Sequence, residues 1–131
     1  MITVENIHKS FGDNKVLKGI DATFERGKTS LIIGQSGSGK TVFLKSLLGL
    51  FQPEQGTISF DGSISKEMSD DQKRQLRQDM GMVFQGSALF DSLNVEENIM
   101  FPIKMFANQA RSEMLDRVNA VLKRVNLENV N

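Results

Sequence analysis

The sequence predicts an α/β fold in which a glycine-rich loop lies between a buried strand and a helix. The first observation is the run Gly34 to Thr41, which fills every fixed position of the pattern Gly, four residues, Gly-Lys, Ser or Thr. The second is its context, because the short apolar run 29–33 precedes the loop and the longer apolar run 41–48 follows it. The third is the alternation of apolar and polar residues on either side of this unit, which is typical of strands.

Composition limits the possible functions. The chain has 131 residues, of which 39% are hydrophobic and 24% are charged, and this is typical of one globular domain. Sixteen basic and sixteen acidic side chains give no net charge, so we expect no nucleic-acid partner. The absence of cysteine excludes disulfides, thiolate catalysis and cysteine-ligated zinc. No run approaches the roughly 20 apolar residues of a membrane span, and we expect a cytoplasmic protein.

The first 62 residues are predicted to be mostly strand. Residues 2–10 form a strand whose alternation is interrupted once, as a β-bulge would cause. Residues 11–15 predict a turn, and 16–24 predict a second strand that pairs antiparallel with the first. Residues 29–33 predict a strand that is buried on both faces. Residues 57–60 predict another strand, which ends at the turn signal Asp61-Gly62.

After residue 62 the pattern becomes mainly helical. Ser69 and Gln72 form a predicted capping box at the start of a short, solvated helix. Residues 82–84 predict a second buried strand. The stretch 88–106 is interpreted as rich in loops, and its large apolar residues are either core or a contact surface: Phe90, Met100, Phe101, Met105 and Phe106. The last predicted helix carries its apolar face on Met114, Leu115, Val118, Val121, Leu122 and Val125.

The loop itself supplies the predicted phosphate site. Lys40 is expected to reach the β- and γ-phosphates as a catalytic residue, and the Thr41 hydroxyl is expected to bind Mg²⁺. The backbone around the phosphates is contributed by Gly34, Ser36, Gly37, Ser38, Gly39, Lys40, Thr41 and Val42. The helix N-terminus adds free N–H groups and a positive dipole end. The expected ligand is a nucleoside triphosphate, and the alternative is a glycine-rich turn that arose by chance.

Two other side chains are candidates whose roles the residues alone leave open. Gln85 follows the predicted strand 82–84, where its amide could touch a metal-bound water or the attacking nucleophile, or could equally be a surface amide. Phe11 is a lone aromatic in a predicted turn, where it could simply cover the end of a hairpin.

Together these features resemble the ATP-binding subunits of ABC transporters. In that resemblance Phe11 matches the aromatic that stacks on adenine, Gly34 to Thr41 matches the Walker A loop, and Gln85 matches the Q-loop glutamine, which takes part in metal binding and catalysis. The implied cofactors are ATP and Mg²⁺. The implied fold is a P-loop NTPase core with an antiparallel β subdomain.

The resemblance also implies partners and a subdomain division. Residues 1–62 would form the antiparallel subdomain with the Walker A unit, 63–87 a helix and the Q-loop strand, and 88–131 the start of a helical subdomain. The partners would be a transmembrane permease subunit and a second ATPase subunit in a homodimer, with the protein peripheral on the cytoplasmic face of the inner membrane. A narrower resemblance, to the lipid-asymmetry and toluene-tolerance branch, implies phospholipid cargo and rests on the residues 39–45, 85–93, Glu97-Asn98 and Phe101-Pro102.

Three family motifs have no match after Gln85: the Leu-Ser-Gly-Gly signature, the Asp-Glu end of Walker B and the switch histidine. We therefore expect an N-terminal fragment that binds nucleotide but does not hydrolyse it. In the family the Walker B strand lies between the strands at 29–33 and 82–84, so we expect a gap or an exposed edge, and with it self-association, strand exchange or a mobile segment beyond about residue 63. The alternatives are a soluble ABC ATPase of translation or DNA repair, and a non-catalytic module that binds nucleotide or a partner.

Overall fold

The computed structural model describes residues 1–86 and 88–130 and contains two compact units. The first unit covers Met1–Gly81 and the second begins at Met82. The first contains an antiparallel sheet and two α-helices, and the second contains two further helices. This mixed α/β architecture confirms the predicted fold class.

The sheet of the first unit is built around its first strand. Strands β1 (Ile2–Phe11), β2 (Asn14–Phe24), β3 (Gln55–Phe60) and β4 (Ser63–Ile64) lie in the order β2-β1-β3-β4, and every neighbouring pair is antiparallel. The β1–β2 turn is shorter than predicted, because Phe11 pairs with Asn14 and only Gly12 and Asp13 remain between the strands. At the β3–β4 turn Asp61 and Gly62 both have positive φ, which is the backbone of a two-residue hairpin turn.

The predicted bulge in β1 is present at Asn6. The β1–β2 register shifts between Val4 and Ile7, and Asn6 adopts a φ of 50°. Its backbone N–H donates to Asp21 Oδ1 at 2.8 Å, so a side chain replaces the missing ladder bond. Gly56 of β3 passes so close that a Cβ there would lie 2.3 Å from the Asn6 carbonyl oxygen.

Helix α1 (Lys40–Leu47) packs on this sheet, and Leu48 and Gly49 follow its last residue. Gly49 has a φ of +73°, its N–H donates to Ser46 O, and the Leu50 N–H donates to Lys45 O at 2.9 Å. This pair of bonds is a Schellman motif. The first core consists of seven buried residues from the sheet and α1: Val4, Ile7, Leu17, Phe43, Leu47, Ile58 and Phe60.

The two predicted buried strands at 29–33 and 82–84 are wrong for this structure. Neither segment belongs to a ladder among the described residues. Leu31 is 82% exposed, Ile33 84% and Val83 97%. A strand that is buried on both faces needs neighbouring strands and covering layers, and the described residues do not provide them for these two segments.

Helix α2 (Asp70–Asp79) follows a short 3₁₀ turn at Ser65–Glu67. Its predicted capping box is confirmed, because Gln72 N donates to Ser69 Oγ at 3.3 Å and Ser69 N donates to Gln72 Oε1 at 2.9 Å. None of its described residues is buried, which confirms the prediction of a solvated helix.

The second unit contains helices α3 (Val95–Phe106) and α4 (Arg111–Arg124), which pack together around Met100, Met114, Val118 and Leu122. The interpretation of 88–106 as loop-rich is therefore wrong for its second half. The sequence pattern predicts Val121 and Val125 on the buried face of the last helix, but both are exposed, because the buried face is narrower and consists of Met114, Val118 and Leu122. Met100 is core, whereas Phe90, Phe101, Met105 and Phe106 are exposed.

None of the helices in the described residues has the length and apolarity that a membrane crossing would require.

Candidate nucleotide-binding site

The candidate site is the loop from Gly34 to the start of α1. Gly39 is the N-cap of the helix and has a φ of 99°, and no side chain caps its N-terminus in the part of the chain that the structure describes. The first helical bond runs from Phe43 N to Gly39 O at 2.9 Å, so the N–H groups of residues 40–42 have no acceptor within the helix. A turn bond from Ser38 N to Gln35 O at 3.1 Å closes the loop in front of them. These N–H groups and the helix dipole can bind an anion.

The three glycines of the loop differ in what a side chain would meet there. A Cβ at Gly34 would lie 2.5 Å from Ser38 Oγ, so that hydroxyl would have to rotate away. A Cβ at Gly39 would lie 2.9 Å from Val16 Cγ1 and 3.3 Å from Leu17 Cδ2, both in β2. Gly37 has a φ of +77°, and no atom of the described residues lies within 4 Å of the position that a Cβ would take there. A ligand can therefore approach the backbone at Gly37.

Lys40 lies across the loop and is half-buried. Its ammonium Nζ donates to Gly34 O at 2.7 Å and to Gln35 O at 2.7 Å, and it lies 3.4 Å from Ser38 Oγ. Two carbonyl oxygens thus hold the positive charge at the mouth of the loop. An anion bound by the backbone N–H groups would lie beside this charge, and each would stabilise the other.

Thr41 and Val42 lie in the first turn of α1 and differ in what they can offer to a ligand. Thr41 is exposed, so its hydroxyl is available to a ligand, whereas the half-buried Val42 packs against the first core and offers only its N–H. Among the described residues there is no group of three or more His, Cys, Asp or Glu that could hold a metal ion. Mg²⁺ needs few protein ligands when phosphates supply the remaining oxygens, so Thr41 fits a nucleotide-bound Mg²⁺.

Phe11 lies at the end of β1 and is 43% exposed. Its ring meets Phe51 edge to face, with centroids 5.2 Å apart and an interplanar angle of 75°. Lys9 Nζ lies 5.1 Å from the ring centroid, and the same ammonium pairs with Glu54 at 2.7 Å. The ring is thus fixed by its neighbours and still has exposed surface, and its stacking on adenine remains a prediction.

Gln85 is exposed and belongs to the second unit. Its approach to a metal or a nucleotide therefore remains a prediction. Gly86 follows it with a φ of +95°, a conformation that glycine adopts without strain.

Sequence reasoning missed the structural role of Asn98, which holds the loop at 90–94 against the start of α3. Its Oδ1 accepts from Phe90 N at 2.8 Å, and its Nδ2 donates to Leu93 O and Asn94 O, both at 3.0 Å. A second capping box joins Asn94 and Glu97 at the same turn. The pattern Asn, two residues, Glu before an apolar run could have located the start of α3, although the contacts of Asn98 depend on the folded loop.

Comparison with known proteins identifies the family. Residues 17–131 match the ABC transporter family. The chain belongs to this family. A probable ribonucleotide transport ATP-binding protein, mkl, from Mycobacterium bovis is 39% identical over 126 residues, which are 96% of this chain and 35% of that protein. The chain therefore spans about a third of the length of this ABC transporter relative.

Two other relatives carry names that refer to different compounds. The methionine import ATP-binding protein MetN of Clostridium tetani is 36% identical, with 98% of this chain and 40% of that protein covered. Trigalactosyldiacylglycerol 3, a chloroplastic protein of Arabidopsis thaliana, is 34% identical, with 99% and 37% covered. These names differ in the compound they refer to, so the family alone does not specify a cargo.

A solved structure extends the comparison to three dimensions. The dimeric post-hydrolysis state of the ATP-binding cassette MJ0796, bound to ADP and Pi, superposes with a TM-score of 0.83 at 28% identity. The match covers 98% of this ABC transporter chain and 59% of the cassette. The likeness supports the ABC cassette fold of the chain, and that neighbour is described with a nucleotide and phosphate bound.

Proposed function

We propose that the chain is the nucleotide-binding part of an ABC transporter ATPase, which couples ATP hydrolysis to transport. The observation that carries the proposal is the Gly34–Thr41 loop, where Lys40 Nζ lies at the mouth of a helix N-terminus with free N–H groups. This arrangement suits a triphosphate better than a neutral ligand, because both the dipole and the ammonium favour negative charge.

Each predicted site residue has a proposed role in binding. The N–H groups of residues 37–42 hold the phosphates, and Lys40 exchanges its two carbonyl contacts for phosphate oxygens. Thr41 offers its hydroxyl to Mg²⁺, and Phe11 offers its exposed ring to the adenine. Bound Mg²⁺ would offset the charge of the transferring phosphoryl group. Gln85 would orient the attacking water or the metal-bound water.

The test is nucleotide binding to the purified chain with a matched lysine control. Lys40→Ala should weaken MgATP binding at least about tenfold, which is about 1.4 kcal/mol, because it removes the ammonium at the loop mouth. Lys123→Ala removes the same charge at an exposed position of α4 and should leave affinity unchanged. Equal affinity of Lys40→Ala and the unsubstituted chain, measured by calorimetry, would contradict the proposal.

Hydrolysis gives a second readout. We propose that the chain binds nucleotide without sustained turnover, because it has no match to the Walker B carboxylates or to the signature. Phosphate release should therefore stay at the level of Lys40→Ala. Sustained Mg²⁺-dependent release that disappears in Lys40→Ala would show that the described residues suffice for catalysis.

The transporter context is also a proposal. We propose a permease subunit and a second ATPase copy as partners, with the chain held at the cytoplasmic face of the inner membrane by the permease. The exposed side chains of Phe90, Phe101 and Met105 support a protein contact in the second unit. The zero net charge supports this assignment over a soluble ABC ATPase that acts on nucleic acid.

Phospholipid is the proposed cargo. It is supported by the loop residues 85–93 and Phe101-Pro102, which resemble the lipid-asymmetry branch. The name of the Arabidopsis relative refers to a different diacylglycerol lipid, which supports lipid cargo in general. The test is the small-molecule content of the membrane complex that copurifies with a tagged chain. Phospholipid enriched over a detergent-matched control supports the proposal, whereas methionine bound in its place would contradict it.

A further inference from the structure

Phe11 is held by contacts that its own sequence pattern does not reveal. Its ring meets Phe51 edge to face, with centroids 5.2 Å apart and an interplanar angle of 75°. Lys9 Nζ lies 5.1 Å from the Phe11 ring centroid. An aromatic pair of this geometry and a cation over a ring both favour one orientation of the ring. Phe11 nevertheless remains 43% exposed, so its neighbours hold the ring without covering it.

Glu54 fixes the end of the strand that carries Phe11. Its carboxylate accepts from Lys9 Nζ at 2.7 Å through Oε1 and from Ser10 N at 3.0 Å through Oε2. Its own N–H donates to His8 O at 3.0 Å. The hydrogen bond from Lys9 lowers the pKa of the Glu54 carboxyl, so this group is ionised at neutral pH. The last residues of β1 are therefore held by both the backbone and the side chain of Glu54.

Phe51 is attached to the helix that carries the phosphate loop. Phe51 N donates to Lys45 O at 3.3 Å, and Lys45 Nζ lies 5.6 Å from the Phe51 ring centroid. Lys45 belongs to α1, whose first residue is Lys40. The position of the half-buried Phe51 ring therefore depends on α1, and Phe11 contacts that ring. One helix thus has the phosphate loop at its N-terminus and the neighbour of Phe11 just beyond its C-terminus.

We propose that Phe51 is a positioning residue for the nucleobase, because its ring holds Phe11 in the orientation in which Phe11 stacks on adenine. This role rests on the nucleotide-binding function proposed above, and it adds a residue that does not itself touch the ligand. An exposed ring loses rotamer freedom when a ligand stacks on it, and a ring that is already held loses less. Phe51 therefore raises the affinity for the base through Phe11 alone.

The test compares a nucleotide with its phosphate part. MgATP and magnesium tripolyphosphate are titrated by calorimetry into the unsubstituted chain and into Phe51→Leu, which keeps an apolar side chain but no ring. Phe51→Leu should weaken MgATP binding about two- to fivefold, the expected cost of ordering one side chain, and leave tripolyphosphate binding unchanged. A role in the stability of the loop would weaken both ligands together. Equal losses for both ligands, or no loss for either, would overturn the proposal.

A matched control and a conservative variant sharpen the comparison. Leu50→Ala changes an apolar side chain of the same segment that is 55% exposed, and it should alter neither affinity. Phe51→Tyr keeps the ring and should retain the affinity for MgATP. A Phe51→Tyr chain that binds MgATP as weakly as Phe51→Leu would contradict a role for the ring.

A double-variant cycle tests whether Phe51 acts through Phe11. Phe11→Ala should weaken MgATP binding, and Phe51→Leu should cause no further loss in that background. If Phe51→Leu causes the same loss with and without the Phe11 ring, Phe51 does not act through Phe11 and the proposal is overturned.

Lys40→Ala separates this role from the proposed function. Loss of affinity for both MgATP and tripolyphosphate in Lys40→Ala supports the phosphate site independently of Phe51. If Phe11→Ala then leaves MgATP binding unchanged, adenine does not stack on Phe11, and the role of Phe51 is overturned while the phosphate site stands. If Lys40→Ala binds both ligands as tightly as the unsubstituted chain, the proposed function fails and the role of Phe51 fails with it.

Discussion

The strands of the antiparallel sheet and the segment 29–33 have similarly apolar sequences, but they differ in burial and in strand pairing. Ile7 is completely buried between its neighbours in the sheet, whereas Ile33 is 84% exposed. The difference is the presence of neighbouring strands, since β1 pairs with β2 on one side and with β3 on the other. A segment with the composition of a strand therefore forms one only where the described residues also provide a neighbouring strand with which it can pair.

The largest expected effect is on the free energy of unfolding, which should respond differently to substitutions in these two regions. Ile7→Ala should reduce the free energy of unfolding by about 2–5 kcal/mol, because it leaves a cavity in the first core. Leu31→Ala should change it by no more than about 0.5 kcal/mol, because the side chain is already in solvent. Urea denaturation at low protein concentration measures both. A large loss in Leu31→Ala would show that the segment is packed in the monomer.

A smaller effect tests how tightly β1 and β3 pack at the bulge. Gly56→Ala places a Cβ 2.3 Å from the Asn6 carbonyl oxygen at a φ of +88°, and we expect a loss above about 2 kcal/mol. Gly27→Ala is the control, since its φ is +68° but nothing among the described residues lies within 4 Å of the Cβ. It should cost about 1 kcal/mol from backbone strain alone. Equal losses would mean that the sheet relaxes around Asn6 without penalty.

The smallest effect concerns Asp61, which joins the β3–β4 turn to the start of β1. Its carboxylate pairs with the Met1 ammonium at 2.6 Å and with Arg26, and these partners lower its pKa from the ordinary value. A lowered pKa contributes stability above the ordinary carboxyl pKa of about 4, and this stability is lost as the pH falls through the folded-state value. Asp61→Asn should therefore lower the melting temperature slightly at pH 7, and this difference should shrink as the pH falls through the lowered pKa of Asp61.

If the difference in melting temperature between Asp61→Asn and the unsubstituted chain did not change with pH, Asp61 would stabilise the fold through the turn geometry and not through its charge. The pairs are solvent-exposed, so 0.5 M salt should also reduce the difference at pH 7.

Features that depend on neighbouring residues can be predicted from the sequence. The bulge near Asn6, the Asp61-Gly62 turn and the Ser69 capping box are all local patterns, and all three are present. The loop at Gly34–Thr41 is a local pattern of the same kind, and the space around its glycines explains why glycine occurs at those positions.

Features that depend on distant residues could not be predicted. The exposure of Leu31 and Val83 follows from which strands are available elsewhere, and the pattern of either segment contains no such information. The contact of Phe11 with Phe51 joins residues that only the folded sheet and α1 bring together. The role of Asn98 likewise appears only once the loop at 90–94 has folded back onto α3.

The central position of β1 has a consequence for the order of folding. The β1–β2 hairpin closes locally, and such hairpins form in about 1–10 μs. The β1–β3 ladder joins Ile2 to Phe60, and the phosphate loop and α1 lie in the connection between β2 and β3. Closing so long a connection is entropically slower, and on the ribosome β3 emerges only after the loop has been synthesised. We therefore expect the hairpin to be an early template, and the nucleotide loop to acquire its shape only when β3 docks.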